Sequence, residues 1–118
     1  MNIENSSSIL ERLSALGDET RTRILALLDG SEFTVSELCA VLQTPQPTVS
    51  RHLKMLALEG WVQARTEGRK RHYHLSPQLD DSTRSLWRIV HNEVSESSLY
   101  RADAERAQPV LDERRMRA

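Results

Sequence analysis

The chain has 118 residues, of which 38% are hydrophobic and 28% are charged, and its formal net charge is −1. This length and composition predict a single soluble globular domain with one modest core. A single cysteine excludes an internal disulfide, and the sequence contains neither a signal-peptide pattern nor an apolar run of membrane-spanning length. We therefore expect a cytoplasmic protein.

The basic residues are concentrated in one part of the chain. Residues 43–75 carry six Lys or Arg against two Glu, whereas the rest carries ten basic and fifteen acidic residues. The segment has a net charge of +4 (six minus two) in a chain that is otherwise at −5 (ten minus fifteen). A local positive surface attracts phosphate groups. A solvated helix face and a charged turn would give the same count, so charge alone leaves both interpretations open.

The N-terminal part predicts a flexible segment over residues 1–8 and then two helices. The first helix is expected to be capped by Ser7 or Ser8, because apolar residues of helical period follow directly. The second helix is expected to use Asp18 as its N-cap and to stop at Gly30.

Two further helices follow closely. Thr34 and Glu37 form the pattern of a capping box, which predicts the start of a short third helix. The fourth helix is predicted over residues 45–58, with Pro45 at the first helical position, where its missing N–H group is not needed. Gly60 is expected to end it.

The C-terminal half predicts a β-hairpin and more helix. Two alternating runs within residues 61–75 flank a glycine-containing turn, and the tip of this hairpin, residues 69–71, is entirely basic. A long helix is expected from about residue 80 to about residue 98. The tail at 99–118 is helical in composition, but Pro109 is expected to interrupt it.

This order of elements predicts a mainly α fold with a small β-hairpin, arranged as a winged helix-turn-helix with N- and C-terminal dimerisation helices. Residues 9–98 would form the DNA-binding and dimerisation domain, and residues 99–118 a helical tail or linker.

The predicted fourth helix has an apolar face and a polar face. Its inward positions are Val49, His52, Leu53 and Leu56. A helix fits the major groove of DNA, and the residues of its first turns reach base edges, while a basic hairpin tip can enter the minor groove or bind phosphates. The candidate DNA contacts are Gln46, Thr48, Ser50, Arg51 and Lys54 on the helix and Arg69, Lys70 and Arg71 on the wing.

The sequence also resembles a known family over roughly residues 9 to 95. The segments "LGDETRTRILALL", "TVSELCAVLQTPQPTVSRHLKMLALEGWV" and "EGRKRHYHLSP" are similar to those of the ArsR/SmtB family of bacterial transcriptional repressors. The resemblance implies a homodimer that binds an inverted-repeat operator in double-stranded DNA, and in many members a ligand releases the DNA. It adds His52 to the contacts on the fourth helix and supports the three wing residues.

The terminal helices independently predict self-association. A domain this small has little internal use for two amphipathic terminal helices, so a second copy is expected to cover them. The candidate interface residues are Leu13, Leu86, Trp87, Ile89, Val90 and Val94.

The metal sites of the family are not reproduced. At the positions of its Cys-x-Cys-x-x-Cys run this chain has Thr34, Ser36 and Cys39, and one thiolate does not make a zinc or arsenic site. The region of the C-terminal metal site holds acidic residues and His91 without the required spacing. His72 and His74 share a strand face, but packing or phosphate contact is the favoured role. We expect no metal, no cofactor and no catalytic residues, so the protein is not an enzyme.

Two alternative functions remain open from the sequence. The tail resembles the linker of family members that continue into a methyltransferase domain binding S-adenosylmethionine, although an ordinary charged helix would look the same. A winged-helix module that binds proteins instead of DNA is the other alternative. The charge on the fourth helix and on the wing argues against it.

Overall fold

The computed structural model describes the backbone of residues 3–117 and the side chains of residues 9–117. In this part of the chain there are six helices and one antiparallel two-stranded sheet, which confirms the mainly α class with a small hairpin. The elements are α1 Ile3–Leu16, α2 Glu19–Leu28, α3 Val35–Leu42, α4 Gln46–Leu58, β1 Val62–Glu67, β2 Lys70–Leu75, α5 Asp81–Val94 and α6 Ser98–Arg117.

The predicted capping residues start the helices as expected. The carboxylate of Asp18 accepts a hydrogen bond from the backbone N–H of Arg21 at 3.0 Å, at the start of α2. The Thr34 hydroxyl accepts from the backbone N–H of Glu37, and the Glu37 carboxylate accepts from the backbone N–H of Thr34. This reciprocal pair satisfies two N–H groups that would otherwise lack partners, and it confirms the predicted capping box.

Two predicted helix starts are wrong. Helix α1 begins at Ile3, earlier than the predicted cap at Ser7 or Ser8, because serine costs only a few tenths of a kcal/mol within a helix. Met1 and Asn2 lie outside the described residues. Helix α4 begins at Gln46, so Pro45 is its N-cap and not its first helical residue.

The helix predicted from about residue 80 to about residue 98 ends earlier than expected, and the tail forms a separate helix. Helix α5 ends at Val94, and α6 begins at Ser98. In the intervening serine-rich segment the hydroxyl of Ser97 accepts a hydrogen bond from the backbone N–H of Tyr100 at 3.4 Å. Serine side chains that bond to nearby backbone groups compete with continued helix, which accounts for the break.

Pro109 lies inside α6 and does not interrupt it, contrary to the sequence-based expectation. The proline removes one backbone hydrogen bond from the helix. Tertiary packing on both sides of it compensates, since Ala107 is buried and Val110 and Leu111 pack against the core. This packing favours continued helix across a residue that is unfavourable there on its own.

The core lies between α2, α3, α4 and the base of the hairpin. Its largest fully buried side chains are Trp61, Phe33, Ile24, Leu25, Leu28, Leu38, Leu42, Leu53, Leu56, Val41 and Val49. Phe33 also joins the hairpin to the helices through two backbone hydrogen bonds with Tyr73, at 3.1 and 2.9 Å. The wing is therefore attached along one edge to the segment that precedes α3.

A buried ionic cluster attaches α6 to α2 and α3. Asp103 is 2% exposed and accepts hydrogen bonds at 2.8 Å from the guanidinium groups of Arg23 and Arg106. The same two arginines donate to the last carbonyls of α3, Arg23 to Leu42 at 3.1 Å and Arg106 to Val41 at 2.5 Å. The cluster thus satisfies C-terminal carbonyls that an α-helix leaves without partners.

Replacing the Asp103 carboxylate tests how much this cluster contributes to the stability of the fold. We expect Asp103→Asn to lower the free energy of unfolding by about 3 kcal/mol, because two guanidinium groups lose their buried counter-charge. This expected loss lies at the lower end of the range for removing one partner of a buried ion pair, because the Arg106 side chain is 31% exposed. Urea denaturation measures it, with Glu105→Gln on the exposed face of α6 as the control. Equal stability of the two variants would contradict a structural role for the cluster.

Candidate nucleic-acid interface

Helix α4 is held by one face and leaves the other in solvent. Val49, Leu53 and Leu56 are at most 1% exposed, and their spacing places them on the same side of the helix. On the other side Gln46, Arg51 and Lys54 are exposed and Thr48 and Ser50 are partly exposed. Five of the six helix residues predicted to contact DNA are therefore accessible.

His52 is the exception, and its predicted role as a DNA contact is wrong in this structure. The residue is 8% exposed, and its Nε2 atom lies 4.0 Å from the carboxylate of Asp18. Burial lowers the pKa of His52, although Asp18 opposes the shift. The inward position predicted from helical periodicity is the one observed. Its use as a contact came only from the family resemblance.

The wing is a tight hairpin with a cationic tip. Strands β1 and β2 pair from Val62 opposite Leu75 to Glu67 opposite Lys70, so only two residues form the turn. The first of them, Gly68, has a φ of +63°, which is typical of a type II′ hairpin turn and favours glycine. The three predicted contacts at the tip, Arg69, Lys70 and Arg71, are all exposed.

Two open cavities bring the helix and wing candidates to a common surface. One, of about 530 Å³, is lined by Gln46 from α4 and by Lys70 and Arg71 from β2, together with the first residues of α3. The other, of about 440 Å³, is lined by Ser50 and Lys54 from α4 and again by Arg71. The polar face of α4 and the wing therefore border one continuous groove. Basic side chains lie on both sides of it, Lys54 on α4 and Lys70 and Arg71 on the wing.

Arg65 has a different role from the other basic residues of the hairpin. Its guanidinium group bonds to Glu32 at 2.8 Å and to Glu67 at 3.0 Å, and His74 lies 3.4 Å from Glu32. The hydrogen bond from Arg65 lowers the pKa of Glu32, and burial opposes this shift only in part. Arg65 is therefore an internal anchor of the wing. Glu32 gave no sequence signal, because its partner is 33 residues away.

The predicted dimerisation residues fall into two groups. Leu13 and Ile89 are 47% and 64% exposed, and Leu86, Val90 and Val94 are partly exposed. Trp87 is only 4% exposed, and its indole N–H donates to Asp29 at 2.9 Å. Its prediction as an interface residue is therefore wrong. It faces the core of its own chain because the Asp29 carboxylate can satisfy its one donor there.

The residues at the family's metal positions take part in other contacts. Thr34 caps α3, and Cys39 lies beside it in the groove wall, half-buried, with a pKa raised by burial. Among residues 9–117, no three His, Cys, Asp or Glu side chains lie close enough together to hold a metal ion. In the described part of the chain, no helix combines the length and the hydropathy that a membrane span requires.

The fold and the charged groove define a winged helix-turn-helix regulator of the DNA-binding class. Residues 18–64 match the sequence profile described as "Bacterial regulatory protein, arsR family". The chain is 35% identical over 89 residues to an uncharacterized HTH-type transcriptional regulator of Methanocaldococcus jannaschii, and the match covers 75% of this chain and 97% of that protein. This chain belongs to the arsR family of bacterial transcriptional regulators, as its resemblance to ArsR/SmtB proteins implied.

Two further similarities place the chain among characterised proteins. It is 39% identical over 71 residues to the arsenical resistance operon repressor of Escherichia coli, and the match covers 59% of this chain and 61% of that repressor. Among solved structures, HlyU from Vibrio cholerae matches with a TM-score of 0.69 at 28% identity, covering 80% of this chain and 100% of that one.

The pair formed by Arg65 and Glu32 predicts a pH dependence. Because the folded-state pKa of Glu32 lies below its ordinary value of 4.5, the pair stabilises the fold fully above that pH. The stabilisation is lost as the pH falls through the lowered pKa. We expect the difference in unfolding free energy between wild type and Glu32→Gln to be largest at neutral pH and to shrink in acid. A constant difference, as expected for the exposed control Glu96→Gln, would contradict the pairing.

Proposed function

We propose that the chain is a homodimeric repressor that binds an inverted-repeat operator through the exposed face of α4 and the wing. The observation that carries this proposal is the groove that Gln46, Ser50 and Lys54 share with Lys70 and Arg71. One wall of this groove is α4, whose polar face does not pack against the rest of the protein. Its other wall is a hairpin whose basic residues are exposed.

The residues on α4 suit the two kinds of contact that a recognition helix makes. Gln46 lies in the first turn and has the side chain that reads adenine through paired hydrogen bonds, while Arg51 can pair with guanine. Lys54 lies further along the helix and is placed for the phosphate backbone. Thr48 and Ser50 can donate to phosphate oxygens.

The wing and the start of α3 favour phosphate binding. Lys70 and Arg71 are exposed and face the same cavity as the first turn of α3. The N-terminus of α3 adds a partial positive charge, which the Glu37 carboxylate of its capping box offsets in part. Together these groups form a positive wall beside α4, suited to the DNA strand that flanks the major groove.

Helices α1 and α5 support a two-fold dimer. They pack against each other, and both carry exposed apolar side chains, Ile9, Leu10 and Leu13 on α1 and Ile89 on α5. Such a contiguous apolar surface is typical of an interface. An isologous dimer would bury it in both copies at once and would present two α4 helices to a palindromic site.

Repression in the cytoplasm is compatible with this mode of binding. A bound dimer competes with other proteins for promoter DNA, and the related Escherichia coli protein is described as an operon repressor. The protein would act in the cytoplasm, where bacterial DNA lies, and by binding without catalysis.

Arg51→Ala tests the base contact. We expect it to weaken binding to the cognate operator by about 1–3 kcal/mol, because the variant removes the paired hydrogen bonds between arginine and guanine. The measurement is a titration followed by fluorescence anisotropy, with Arg115→Ala on the exposed face of α6 as the control for the removed charge. Affinity equal to that of the control would remove Arg51 from the contacts.

The wing is tested by its salt dependence. The double variant Arg69→Gln/Lys70→Gln should lower both the affinity and the slope of log K against log salt, by roughly one unit of slope for each phosphate that the wing no longer binds. Operator titrations at four salt concentrations give the slope, and Arg115→Gln provides the comparison. A slope that stays at the wild-type value would show that the wing does not contact the duplex.

A further inference from the structure

A separate cavity of about 360 Å³ lies where the wing ends and α5 begins. It is bounded by the chain that leaves β2, by the C-terminal end of α2 and by one side of α5. None of the candidate DNA contacts lines it. The cavity is therefore separate from the candidate DNA-binding surface.

Positive charge dominates one wall of this cavity. Arg84, Arg88 and His91 line it and follow the i, i+4, i+7 spacing of a single helix face. Arg84 donates to the Leu79 carbonyl at 3.1 Å, and among the residues with described side chains no carboxylate lies within salt-bridge distance of Arg84 or Arg88. The two guanidinium groups are thus available to an outside partner.

The one acidic residue in the lining is already engaged. Asp29 accepts the indole N–H of Trp87 at 2.9 Å, which holds its carboxylate against α5. Two guanidinium groups against one carboxylate leave the cavity with a positive balance, before any charge on His91 is counted. An anion is the ligand that this balance favours.

Apart from Ser76, the rest of the lining is apolar. Leu75 contributes from the end of β2, Pro77 and Leu79 from the segment after it, and Trp87 from α5. The His91 ring lies 5.3 Å from the Trp87 ring, tilted by 40°. Ligand sites of this kind combine an apolar surface with a few polar groups that fix the orientation of the ligand.

We propose that this cavity binds a small organic anion, with a carboxylate or phosphate group on Arg84 and Arg88 and an apolar or aromatic body against Leu75, Pro77 and the small exposed part of Trp87. The site is compatible with the proposed dimer. Leu86 and Ile89 lie on the opposite flank of α5 from Arg84, Arg88 and His91, so a partner on the apolar flank leaves the cavity open.

The cavity is also connected to the wing, and a regulatory role rests on the proposed function. Leu75 is the last residue of β2, and the backbone N–H of Ser76 bonds to the Trp61 carbonyl at 2.8 Å, just before β1. A ligand that draws this segment towards α5 acts on the base of the hairpin. The ligand would change operator affinity only if its own affinity differs between the wing position that binds DNA and another position of the wing.

The indole N–H signals of the two tryptophans give a direct test that needs no DNA. Trp87 lines the cavity, whereas Trp61 is fully buried elsewhere in the core. Benzoate and phenyl phosphate, titrated to millimolar concentration, should displace the Trp87 signal in ¹H–¹⁵N spectra more strongly than that of Trp61, which does not line the cavity. Benzyl alcohol, the neutral analogue, should displace it far less.

Arg88→Gln is the decisive variant, with Arg115→Gln as the control for the removed charge. Arg88→Gln should raise the dissociation constant for benzoate about tenfold, because the variant removes a charge-assisted hydrogen bond. The control should leave it unchanged. No displacement of the Trp87 signal by either anion, or equal affinities of the two variants, would overturn the proposal.

Operator binding in the presence of benzoate separates the two proposals. A change in operator affinity for the wild type, absent in Arg88→Gln, supports regulation through this cavity. Unchanged affinity with a displaced Trp87 signal would overturn the regulatory role and leave the binding site. Failure to bind any DNA with a displaced Trp87 signal would count against the proposed function alone.

Discussion

The turn between α3 and α4 is the constraint on which the rest of the structure depends, because it sets the angle of the candidate recognition helix. Gln43 adopts a left-handed conformation there, with φ of 52° and ψ of 45°, at the C-cap of α3. The two preceding carbonyls are held by Arg23 and Arg106, and both arginines meet Asp103. A residue on the C-terminal helix thus fixes a turn that lies about 60 residues earlier in the chain.

The wing is fixed by two attachments on the same short segment. Phe33 pairs with Tyr73 through backbone hydrogen bonds, and Glu32 pairs with Arg65 through side chains. The segment leads directly into α3, so these contacts connect the hairpin to the helix that precedes α4. Arg114 of α6 adds to this arrangement, since it bonds to the Glu32 carbonyl and to the Glu37 carboxylate. The groove between α4 and the wing is therefore preorganised, which reduces the entropic cost of binding DNA.

The capping residues and the hydrophobic periods predicted most of the fold. Asp18, Thr34 and Glu37 act locally, within three residues of their partners, so short patterns are sufficient to identify them. The inward face of α4 followed from helical spacing in the same way. Because the apolar side of α4 packs on the core, the opposite side is left exposed. Most of the candidate contacts lie on that side and are accessible as predicted.

The features that the sequence did not predict depend on contacts between distant residues. Trp87 is buried because Asp29, 58 residues away, accepts its indole hydrogen. Helix α6 continues through Pro109 because the core covers its flanks. Arg65 counts as positive charge in the sequence, but Glu32 and Glu67 neutralise it in the fold. Local patterns carry no information on these partners, and two of the features change which residues are available to DNA or to a second copy.

Footprinting most directly tests whether two copies present α4 and the wing together. DNA selected from a random-sequence library by the purified protein would serve as the target, and hydroxyl radicals would cleave the exposed backbone. We expect two protected half-sites whose centres are about 10–10.5 bp apart or a multiple of that distance. A single protected patch, without a second at that spacing, would contradict the dimeric groove-binding arrangement.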